Sequence, residues 1–171
     1  ASESHFKSLD LIILLFKNYQ EIITSNFSSD DLFSIFSSNK TLLLSLYENK
    51  CINISTLQKK FNSSSFQFPF FYPEFKSNFD ILTSEQKEQI QAIDKEIQEK
   101  YESKIDIFLN FRKEGHSEMT IAKLIRDDDI DKFTVFVSPE NFDLNMTIPL
   151  SIFESHPLLQ SEPTLIEYAC F

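Results

Sequence analysis

Apolar residues recur at three- and four-residue steps along most of this chain, the spacing of helices that bury one face. From Phe6 to Ile23 the pattern runs Phe6, Leu9, Ile12, Ile13, Phe16, Tyr19 and Ile23. Leu11, Leu14 and Leu15 widen that face, which predicts a helix deep in a bundle. Ser28-Ser-Asp-Asp-Leu supplies an N-cap and an acidic first turn for a short helix ending at Phe36. Asn39 or Thr41 starts the next, over Leu42 to Tyr47, and Ser55 to Phe61 forms a fourth. Thr83 and Gln86 are spaced as a capping box ahead of a long helix. Its apolar positions, Ile90, Ile93, Ile97, Tyr101, Ile105 and Phe108, make one narrow stripe between Lys, Glu and Gln faces. The stripe drifts instead of holding strict heptads, so packing within the chain is the first expectation. A homo-oligomerisation module along helix 84–111, with Ile90, Ile97, Tyr101 and Phe108 as its seam, is the second.

Two places break this rhythm. Phe66-Gln-Phe-Pro-Phe-Phe-Tyr-Pro-Glu-Phe75 is dense in aromatics, and its prolines bar a continuous helix. Aromatics dominate cores and interfaces alike, so Phe70, Phe71 and Tyr72 are candidates both for burial and for contact with a protein partner. Gly115 then ends the long helix, which divides the chain into a helical N-terminal region, 1–112, and a second segment, 113–171. In that segment Met119 to Arg126 is a helix, Asp127 to Asp129 a turn, and Ile130 to Val137 the return helix. A proline-containing loop follows from Asn141 to Pro163, with Leu144, Ile148, Leu150, Ile152 and Phe153 to pin it down.

Composition narrows the function classes. The 171 residues suit one domain or a domain with a short appendage. A single glycine cannot furnish the loops that cradle phosphates, nor the tight turns of hairpin-rich β folds, so the reading is all-α. A net charge of −10 and a pI near 4.7 disfavour nucleic acid and anionic membrane surfaces. Leu11 to Phe16 is too short an apolar run to span a bilayer. Cys51 and Cys170 form no disulfide framework and read as reduced thiols of a cytoplasmic protein. The sequons at Asn26, Asn39, Asn53, Asn62 and Asn145 are what a chain rich in Asn and Ser produces by chance.

Candidate chemistry is thin. Asp127, Asp129 and Asp131 have the opening spacing of a calcium loop, but Lys132 stands where glycine is needed and Ser138 where the closing glutamate belongs. His5, His116 and His156 have no Cys or carboxylate at ligand spacing. A hydrolase using Cys51 is a remote alternative, since no histidine motif accompanies it. No catalytic residue, cofactor or metal is expected.

Leu124-Ile-Arg-Asp-Asp-Asp-Ile-Asp-Lys-Phe133 resembles the helix, turn and second helix of an ankyrin-type repeat, with Asp129 where glycine is usual. Pro163-Thr-Leu-Ile-Glu-Tyr-Ala-Cys170 resembles the Thr-Pro-Leu-His-x-Ala-Ala opening of the next repeat. There Pro and Thr are exchanged, Ile166 replaces His and Tyr168 replaces the first Ala. Together with Arg112-Lys-Glu-Gly-His-Ser117, Pro149-Leu-Ser-Ile-Phe-Glu154 and Glu162, these residues are similar to an expanded family of ankyrin-repeat proteins of parasitic protists. Leu43-Leu-Ser-Leu-Tyr-Glu-Asn49 and Phe71-Tyr-Pro-Glu74 resemble that family's N-terminal region less specifically.

The resemblance implies a cap and first repeat of a solenoid that binds another protein. One repeat and a fragment cannot bury their own core, so either the N-terminal helices serve as the missing neighbour or the chain is a piece of a longer protein. Stopping within a helix at Tyr-Ala-Cys-Phe171 favours the second. Leu165 and Tyr168 are then expected on the face meant for the next repeat.

Overall fold

The structure is a computed structural model and describes residues 11–62, 67–100, 105–139, 142, 143, 145–154, 159 and 161–170. It is all-α. Among the described residues there is no strand, and one antiparallel bridge joins Thr147 to Thr164. The helices are α1 (residues 11–18), α2 (Gln20–Asn26), α3 (Ser29–Phe36), α4 (Lys40–Glu48), α5 (Ile54–Lys60), α6 (Tyr72–Ser77), α7 (Ser84–Lys100), α8 (Ile105–Glu114), α9 (Thr120–Arg126), α10 (Ile130–Val137) and α11 (Leu165–Ala169). Short 3-10 turns at Pro69–Phe71 and Phe79–Ile81 flank α6. The chain divides into two compact units, residues 1–113 and 114–171.

Local chemistry sets the helix starts of the first unit. Ser28 and Asp31 bond each other's backbone N–H in a capping box, and the amide oxygens of Asn39 and Asn53 accept from Leu42 N and Thr56 N. Thr83 and Gln86 complete the expected box before α7. Gln86 is buried and does more than cap: it donates to the carbonyls of Gln58 and Phe61 and accepts from the Gln58 amide, fastening α5 to the start of α7.

Helix α3 packs on α4 and α5, and α6 on α5 and α7. The interior is aromatic. Phe68, Phe70, Phe71 and Phe75 are fully buried, with Phe68 stacked on Phe75 and Phe71 tilted against Phe61. Each such ring stabilises the fold by about 2–3 kcal/mol through area removed from water. The stripe Ile90, Ile93 and Ile97 of α7 is buried within this unit, as is Phe108 of α8. Tyr101 and the continuity of helix 84–111 lie outside the described residues.

The first helix departs from expectation. Phe16 alone is buried in α1, and α2 buries nothing, while Leu11, Leu14 and Leu15 face solvent. Its two apolar sides outrun the surface that α3 and its neighbours offer, so only the Phe16 side finds cover, with Phe16 edge-on against Phe36.

In the second unit α9 packs on both α10 and α11. Its core is Ile121, Ala122, Ile148, Leu159, Leu165 and Tyr168, with Met119, Ile125, Phe133 and Val137 against its rim. Ile148 and Phe153 of the long loop are buried and Leu150 is exposed, while Leu144 lies outside the described residues. Gly115 takes φ 70°, the left-handed geometry of a helix stop.

Candidate functional site

The turn between α9 and α10 is built by three aspartates with separate tasks. Asp127 ends α9 in helical geometry. Asp128 carries the positive φ of 52°, so the left-handed position that glycine favours falls one residue before Asp129, where the sequence reading expected it. Asp129 caps α10, its carboxylate accepting from Lys132 N at 3.1 Å and from Lys132 Nζ at 2.6 Å. These Lys132 bonds, side chain first, hold the Asp129 carboxyl below its ordinary range. The Asp129 carboxylate is thus engaged as a cap, while Asp127 and Asp128 shape the turn through their backbone, and no group of metal-ligating side chains occurs among the described residues.

The start of α11 uses chemistry the sequence comparison left out. Thr164 accepts from Glu167 N, and the Glu167 carboxylate accepts from Thr164 N at 2.8 Å and from its hydroxyl at 2.9 Å. This reciprocal pair caps α11 at its first turn. Its signal, Thr-x-x-Glu ahead of an apolar step, was legible in the sequence. Loop residues close on the same point, with Ile148 N donating to the Pro163 carbonyl at 2.8 Å.

Beneath α11 lies a buried polar cluster. The Glu154 carboxylate accepts from Tyr168 Oη at 3.2 Å and Ser117 N at 3.4 Å, with His116 Nδ1 3.9 Å from its other oxygen. Arg126 donates to Tyr168 Oη at 2.9 Å and to the Ser117 carbonyl at 3.2 Å. Burial, followed by the adjacent Glu154 charge, pushes the Tyr168 phenol up to about 12. At neutral pH it therefore keeps its proton and serves as a hydrogen-bond donor, locking the loop to α9 and α11.

All five side chains expected to meet a partner lie in the interior. Phe70, Phe71 and Tyr72 belong to the core of the first unit, because the 3-10 turn and the start of α6 point them inward against Phe61, Phe75 and Phe108. Leu165 and Tyr168 are buried under the loop and α9, since the face that α11 turns inward is the one carrying them. What α11 presents outward is Ile166, 71% exposed. Beside it in sequence order, α10 buries none of its residues, although Ile130, Phe133, Val135, Phe136 and Val137 are apolar. Ile130 and Val135 are 67% and 73% exposed.

Elsewhere the first unit holds the strongest electrostatics. Arg112 pairs with both carboxylate oxygens of Glu74 at 2.6 and 2.8 Å and donates to the Phe70 carbonyl at 3.2 Å. Lys40 is buried with its ammonium 5.4 Å from the Phe70 ring centre. Tyr72, Lys76 and Asp94 form a second triad, in which the Lys76 and then the Tyr72 bonds hold the Asp94 carboxyl low. Tyr72 and Lys76 are four apart on α6, but no local signal marks their pairing with Asp94 of α7 or that of Arg112 with Glu74, whose members sit on different elements. Cys51 is buried with its Sγ donating to the Asn49 carbonyl at 3.7 Å, and burial pushes its thiol up, away from a reactive thiolate. A shallow polar depression of about 440 Å³ between Gln58, Lys59, Thr83 and Glu85 contains the Gln86 amide already committed to α5. Among the described residues no helix is long and apolar enough to cross a membrane.

Comparison of the chain with protein-family models, with curated proteins and with solved structures returns no match.

Proposed function

We propose that this chain is a protein–protein interaction module, an N-terminal helical region leading into the first repeat of an ankyrin-type solenoid, with no catalytic role. The single observation that carries the reading is the outer side of α10: Ile130, Val135 and Phe136 are apolar and exposed while Phe133 and Val137 pack against the unit's core, and its neighbour in the chain's repeat order, α11, turns Ile166 out as well. An apolar helix side left exposed is what the open side of a layered array presents, where each layer contacts only the next. The capped helix–turn–helix of α9 and α10, and the Thr164–Glu167 start of α11, support the same reading. With Phe70, Phe71 and Tyr72 buried, this reading puts the contact on the exposed side chains of α10 and α11 instead.

The oligomerisation reading through helix 84–111 is the weaker one, because Ile90, Ile97 and Phe108 are taken up inside the first unit. Immunoblotting of the source cell, with peptide mapping of the band, tests the proposal. Peptides continuing past Phe171, together with slower amide exchange of α10 in that longer protein than in the 171-residue chain, are the expected result. A band at 20.0 kDa with no further peptides would overturn the solenoid reading.

A further inference from the structure

We draw no further inference here: the strongest candidate, the exposed apolar patch that Leu11, Leu14, Leu15, Tyr19 and Ile22 form along helices α1 and α2, carries none because nothing in the structure shows what covers it.

Discussion

Arg112→Met removes the guanidinium that Glu74 and the Phe70 carbonyl share, without leaving a large void, because methionine fills much of the arginine stem. The pair is nearly out of water, the two side chains retaining 7% and 10% of their exposure. Truncating one member strands the Glu74 carboxylate and the carbonyl, which costs about 3–4 kcal/mol. Glu74→Leu strands the guanidinium and costs a similar amount. The double variant Arg112→Met with Glu74→Leu leaves only the Phe70 carbonyl short of a partner, a residue of about 1 kcal/mol. The two losses are therefore strongly non-additive. Urea unfolding followed by far-ultraviolet circular dichroism reads this directly, as a midpoint about 2 M lower for either single variant and near wild type for the double. A double variant whose loss equals the sum of the singles would refute the claim that the pair compensates its own burial. Singles costing less than about 1 kcal/mol would show that water reaches the site after all.

Two further outcomes follow from the second unit and from the backbone. Tyr168 holds its proton more tightly folded, up to about 12, than unfolded at 10.0, so its contribution is complete below pH 10 and is lost as pH rises toward 12. Phenolate absorbance against pH should show one tyrosine titrating near 12, and Tyr168→Phe should abolish that step together with about 2–3 kcal/mol of alkaline destabilisation. Lys50, with φ 58° just past α4, occupies a position that costs a side chain about 1 kcal/mol, part of which glycine returns as unfolded-chain entropy. Lys50→Gly should raise thermal stability by about 0.5 kcal/mol and Lys50→Val lower it by about 1 kcal/mol, and a loss for the glycine variant would contradict the left-handed assignment.

Most of the helices were readable from local spacing, but not α6, which starts with Pro73 in its first turn, nor the division of α1 from α2 at Tyr19. Ser28, Asn39, Thr83 and Asp129 each accept from the backbone N–H three residues ahead, so their effect is complete within a few residues of sequence. Asn53, which caps α5 just ahead of the helix read from Ser55, and Thr164 with Glu167 at α11, obey the same rule and were within reach of it. Gly115 is legible for a different reason: in a chain with one glycine, a left-handed helix stop is where it is least dispensable.

Which face of each helix turns inward was decided only by the tertiary structure. Leu15 and Phe16 are equally apolar neighbours, yet one is exposed and the other buried, because the chain's own interior covers only one side of α1. Tyr168 and Ile166 divide the same way on α11, the tyrosine drawn inward by bonds with Arg126 and Glu154 that span 42 and 14 residues. Arg112 and Glu74 meet across 38 residues, a distance over which hydrophobic period and capping pattern carry no information. The sequence by itself determined that this protein is helical, because propensity and capping are local interactions. The partners of Phe70, Arg112, Glu154 and Tyr168, and the sides of α1 and α10 left uncovered, belong to tertiary structure, because burial is a contest among all faces for one limited interior.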